Sequence, residues 1–139
     1  MRMISLLAVL AASVLAGCTA SGSAYTRSAA PTDEASVVFY RPPAFAGSAV
    51  DIMLVDNGAQ IGRIQNGQFI NYVAAPGMHK FHTDTMAIDK EIEYSVEAGE
   101  TYYVRLGLRQ GMWTGTWFLS RVFEDEALAE LKECCKSGD

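Results

Sequence analysis

At 139 residues, with eleven Lys and Arg against sixteen Asp and Glu, the chain has room for one domain and carries a formal charge of −5. Arg2 is the only charged residue of the first seventeen, so the remainder keeps ten basic against sixteen acidic residues, a balance of −6. That surplus of acid leaves no basic footprint for nucleic acid, and it argues equally against electrostatic docking on anionic lipid.

Residues 1–17 read as an export signal: Arg2, an apolar run from Met3 to Ala16, then small residues at a cleavage site. A membrane-spanning helix needs about 20 apolar residues, and this run has fourteen. Leu15-Ala16-Gly17-Cys18 then resembles the lipobox of bacterial lipoproteins. The resemblance implies a diacylglyceryl thioether on Cys18, often with an acylated α-amine, and two or three acyl chains anchor a protein durably. Thr19, where an Asp would signal retention at the inner membrane, implies the outer membrane of a Gram-negative envelope. Residues 18–35 are rich in Ser, Thr, Ala and Gly, and read as a lipidated flexible tether with a span of roughly 20–25 Å.

From residue 36 to 123 the texture is that of a β domain, short apolar runs separated by turn signals. Ser36–Arg41 is stopped by Pro42-Pro43. Val50–Asp56 alternates and ends at Asn57-Gly58, which suits a type I′ turn and sets Leu54 opposite Ile61. Asn66-Gly67 is a second such signal, leading into Gln68–Val73, so a three-stranded meander is expected. Pro76-Gly77 suits a type II turn. Further strands are expected at Met78–Thr83, Glu91–Val96, Thr101–Arg109 and Met112–Val122. The expectation is a mostly β protein, a small antiparallel β-sandwich of about seven strands with one short C-terminal helix.

That helix belongs to residues 124–139, helix and tail. Glu124, Asp125 and Glu126 favour its start and Lys132 and Lys136 its end, while Ala127, Leu128, Leu131 and Cys135 form one apolar stripe. So short a helix needs a surface to dock on.

Four segments, VVFYRP (37–42), DNGAQIGRIQNGQF (56–69), PGMHKF (76–81) and VEAGETYYVRL (96–106), resemble a family of bacterial lipoproteins known as domain of unknown function 2846. The Pro-Gly-x-His and Gly-x-Thr-Tyr-Tyr strands also resemble small transthyretin-like or PEGA-type sandwiches. The resemblance implies a fold and an envelope location, and it assigns no activity and no functional residue.

The chemistry is sparse. His79 and His82 fall on opposite faces of an extended strand, so no metal site and no cofactor is expected. Cys134 and Cys135 leave three arrangements open: a bridge between neighbours, an intermolecular disulfide giving a homodimer, or free thiols. No nucleophile elbow, phosphate loop or Cys-His constellation is present, and no catalytic residue is expected. Tyr103, Arg105, Trp113 and Trp117 have the composition of a binding patch. Either the C-terminal helix covers them or they are open to an envelope protein or glycan. The function expected is a non-enzymatic, membrane-anchored binding or structural module. An envelope enzyme using His79, His82 or a carboxylate is the alternative, as is a glycan-binding domain.

Overall fold

A computed structural model of the chain describes residues 22–85 and 91–138. The strands are β1 (Ala35–Tyr40), β2 (Ile52–Asp56), β3 (Ala59–Ile64), β4 (Gln68–Ala74), β5 (Gly77–Thr83), β6 (Ile92–Val96), β7 (Thr101–Gln110) and β8 (Gly115–Val122). The helix α1 (Glu124–Cys134) and a two-residue β9 (Lys136–Ser137) complete the described elements. They form a five-stranded sheet, β8-β7-β1-β4-β9, facing a four-stranded sheet, β3-β2-β5-β6.

Why β1 lies at the centre follows from its sequence, ASVVFY, whose six residues are all buried. Ala35, Val37 and Phe39 point into the core between the sheets, where they meet Ile52, Leu54, Phe81 and Leu106. Val38 and Tyr40 point outward, into a second cluster with Phe69, Tyr103, Val122 and Leu131. A strand covered on both faces reads as a continuous apolar run, not as an alternation. The helix supplies the outer cover: Ala127 and Leu131 are buried, and Leu128 packs half-buried beside them. Its first turn holds Glu124, Asp125 and Glu126, and Phe123 at the N-cap offers no side-chain hydrogen bond, so the acids alone complement the dipole there. Glu130 fastens the docked helix by accepting hydrogen bonds from Tyr40 and Arg105.

Several expectations are corrected. The described strands number nine, because the tail pairs as β9, and the sheets are not wholly antiparallel: β1 runs parallel to β7, and β4 parallel to β9. The long excursion through β2–β6 separates β1 from β7, which a parallel pairing requires. The expected meander holds only for its first hairpin. Asn57 and Gly58 both have positive φ, as a type I′ turn needs, but a bulge sets Leu54 opposite Gly62 instead of Ile61. At the second signal only Gly67 has positive φ. That turn passes the chain from one sheet to the other, pinned where Gly67 N–H donates to the Arg41 carbonyl and Arg41 N–H to the Gln68 carbonyl.

The expected tether through residue 35 is fastened to the domain over its described part. Ala24 bridges to Lys136, and Ser137 N–H donates to the Ser23 carbonyl. Tyr25 then packs edge-on against Phe69 and Tyr103, and Arg27 pairs with Glu124 at the start of the helix. At residue 22 the approach is so close that a Cβ would lie 2.4 Å from the Ser137 carbonyl oxygen, which leaves room only for glycine. The polar composition of this stretch concealed one aromatic anchor, and that anchor lays the segment across the outer face.

Candidate binding site

The four residues expected to share a patch are distributed over three places. Tyr103 is buried beneath the helix and the N-terminal strap. Arg105, on the same face, ion-pairs with Glu130 and Glu126. Trp117 lies opposite Leu108 on the inner face of the same sheet, against the core. Trp113 stands in the turn between β7 and β8 and is 90 % exposed. The alternation of β7 predicted the shared face of Tyr103 and Arg105. The start of β8 at Gly115 put Trp113 outside the pleat altogether.

A different constellation forms at that end of the sheet. Because β1 and β7 are parallel, the loop after β1 and the turn after β7 emerge together. Arg41 directs its guanidinium back under the 42–50 loop, donating from Nη1 to the carbonyls of Val50 (2.6 Å) and Ile64 (3.4 Å) and from Nη2 to that of Gly47 (2.6 Å). The Trp117 ring lies 4.6 Å from the guanidinium carbon, a cation–π contact, and Gly47 closes over the same ring. A Cβ at residue 47 would come within 2.8 Å of the indole, and its φ of +74° is itself one that glycine tolerates best. Arg41 is only 2 % exposed and pairs with no carboxylate among the described residues. Burial lowers its pKa, and Asp51, at longer range, opposes that shift.

Beside this guanidinium opens a cleft of about 410 Å³, walled mainly by Pro42, Pro43, Leu106, Leu108 and Trp117, with Arg105 at its margin. Around the same end stand three large apolar side chains almost wholly in solvent: Phe45 (99 %), Met112 (89 %) and Trp113. Sequence reading missed Arg41 because it closes an apolar strand before two prolines and looks like ordinary punctuation. The signal was its position, a cation directly after the six residues of an apolar, buried strand.

The second polar cluster links the two sheets. Asp56 Oδ2 accepts from the Tyr72 hydroxyl at 2.8 Å and lies 2.7 Å from His79 Nδ1, while His79 Nε2 lies 2.7 Å from the Ala75 carbonyl and donates to it. Asp56 and His79 are buried in the four-stranded sheet, and Tyr72 reaches them from β4. Burial, then the bond to Asp56, pushes the Tyr72 pKa up to about 12. Both ring nitrogens of His79 thus have partners inside the fold. This arrangement is a clamp between layers. His79 is therefore buried, and His82, on the opposite face, is half-buried with Nδ1 lacking a partner among the described residues. No cluster of three metal-ligating side chains is found among the described residues.

Cys134 and Cys135 are bonded to each other at the end of the helix. Cys135 Sγ lies 3.6 Å from the Arg41 carbonyl oxygen; a disulfide sulfur has no proton to donate, so this is a packing contact. Cys18 and the signal lie outside the described residues.

Residues 31–117 match the family described as protein of unknown function (DUF2846). No match is found among curated proteins or solved structures.

Proposed function

The chain belongs to the DUF2846 family, and from that premise we propose that it is a lipoprotein of the bacterial envelope, held in the outer membrane by acyl chains on Cys18 and presenting a β-sandwich of transthyretin-like type as a binding module. Support for the anchor lies in the order basic residue, fourteen-residue apolar run, Leu-Ala-Gly-Cys. No helix among the described residues is long and apolar enough to cross a membrane. The observation that carries the binding role is the end of the sheets where Phe45, Met112 and Trp113 stand exposed around the Arg41 cleft. Monomeric domains seldom leave large apolar groups clustered in water without use for them. The polar clamp at Asp56, whose Oδ2 is shared by Tyr72 and His79 across the two sheets, supports a scaffold role.

The test is metabolic labelling with palmitate followed by fractionation. The wild-type chain should carry label in the outer membrane, and Cys18→Ala should lose the label and accumulate as precursor. Normal labelling of Cys18→Ala would end the lipoprotein reading.

A further inference from the structure

β7 outlasts its neighbour. Its last residue paired with β1 is Arg105, opposite Tyr40, yet the strand continues to Gln110, because β8 goes on supporting its other edge as far as Gly115. β1 cannot follow. After Arg41 come Pro42 and Pro43, which have no N–H to give a ladder and which turn the chain aside. Residues 106–110 therefore keep one backbone edge with no strand beside it among the described residues, and the cleft lies along that edge. The prolines and Ala44 and Ala46 form its opposite wall, so the vacancy is a slot open toward the exposed end, not a flat margin. The Arg41 guanidinium is spent on the carbonyls of Gly47, Val50 and Ile64, whereas Arg105 meets Glu126 and Glu130 through Nη1 and keeps Nε and Nη2 without a partner among the described residues.

We propose that this slot receives an extended peptide segment of a partner protein, which takes the place of the missing continuation of β1 beside residues 106–110 and brings a carboxylate to Arg105. The backbone edge supplies register, as in other strand-addition interfaces. Leu106, Leu108 and Trp117 supply an apolar wall for alternate side chains, and the Arg105 guanidinium favours an acidic residue or a C-terminus. Phe45, Met112 and Trp113 would then rim the bound segment. The inference rests on the binding-module reading, but not on the lipid: loss of acyl labelling would leave it standing.

The probe is the peptide acetyl-Thr-Val-Thr-Val-Leu-Asp with free carboxylates, compared with its uncharged counterpart acetyl-Thr-Val-Thr-Val-Leu-Asn-amide. The full chain as purified, in nonionic detergent micelles, is titrated with each, reading backbone amide resonances. A second readout is Trp117 fluorescence in a Trp113→Phe chain, which retains a single indole. The acidic peptide should shift the amides of residues 106–110 and the Trp117 emission, and bind at least about tenfold more tightly than the uncharged one, the effect of one good charge-assisted bond. Ala44→Trp, at an exposed position on the slot wall, should abolish the shifts at an unchanged melting temperature, and Ala46→Trp serves as a second plug. Three results would overturn the proposal: no amide shift at millimolar peptide, equal affinity for both peptides, or binding indifferent to both plugs. Phosphatidylethanolamine–phosphatidylglycerol vesicles perturbing Trp113 where neither peptide moves residues 106–110 would assign this end to a lipid surface instead.

Discussion

Replacing Leu131 by Ala tests whether the C-terminal helix is a structural layer or an appendage. Leu131 is 1 % exposed, enclosed by Val38, Tyr40, Phe69, Tyr103 and Val122 on the outer face of the five-stranded sheet. Removing three carbons forfeits about 2.4 kcal/mol of transfer free energy at about 0.8 kcal/mol per methylene. A cavity penalty is added, but α1 is a surface element and can settle partway into the space. The cost is therefore placed at about 3 kcal/mol, inside the 2–5 kcal/mol range of buried Leu→Ala changes. For a domain of about 100 residues that is a fall of about 12–24 °C in Tm. Leu128→Ala, at a half-buried position on the same helix, should cost about 1 kcal/mol. Urea unfolding of the chain from residue 19, followed by aromatic fluorescence, reads both as shifts of midpoint at constant slope. A cost for Leu131→Ala below about 0.5 kcal/mol, the level of a surface substitution, would refute the docking argument.

Asp56→Ala should be among the most damaging single changes, at about 3–5 kcal/mol, because it strips the shared acceptor from Tyr72 and His79 inside the fold. Tyr72→Phe, which removes one donor to that carboxylate, should cost only about 1 kcal/mol, and denaturant midpoints for the two variants would expose a wrong ranking. With Cys134 and Cys135 bonded to each other, mass spectrometry should find neither labelled by iodoacetamide before reduction and both labelled after it, on a chain that runs as a monomer on non-reducing gels. A reducible dimer lost in Cys134→Ser/Cys135→Ser would instead favour the intermolecular arrangement.

Local signals in this sequence were legible where one residue type answers one geometric demand. Asn57-Gly58 marks a turn requiring two positive φ angles, and the structure has both. The apolar stripe of Ala127, Leu128 and Leu131 named the docking face of α1, and the alternation of β7 separated Tyr103 from Val104. What failed was long-range pairing. Asn66-Gly67 looks like Asn57-Gly58 by composition, but its geometry is set by hydrogen bonds to Arg41, a residue 25 positions away in the chain. The parallel neighbour of β1 is likewise 65 residues distant, with no local trace in either strand. The candidate cleft was illegible for the same reason. It exists because Pro42-Pro43 ends one strand while β8 prolongs the next, a mismatch between elements that neither segment records by itself.

The strap changes what an anchor at Cys18 would do. A tether flexible through residue 35 would let the domain sample many orientations above a bilayer. The described chain is fixed from Gly22 onward by Ser137, Tyr25 and Arg27. Four covalent steps separate residue 18 from residue 22, and a fully extended chain covers at most about 3.6 Å per residue, or about 14 Å. With the lipid at Cys18, as proposed, the β9 edge of the five-stranded sheet would be held against the bilayer interface. The cleft lies beside β7, three strands away across β4 and β1, or about 14 Å at the usual strand spacing. So anchored, the molecule would hold its β9 edge at the lipid, and the open stretch of β7 beside the cleft, with Phe45 and Trp113 around it, would stand toward the compartment where a protein partner could be met.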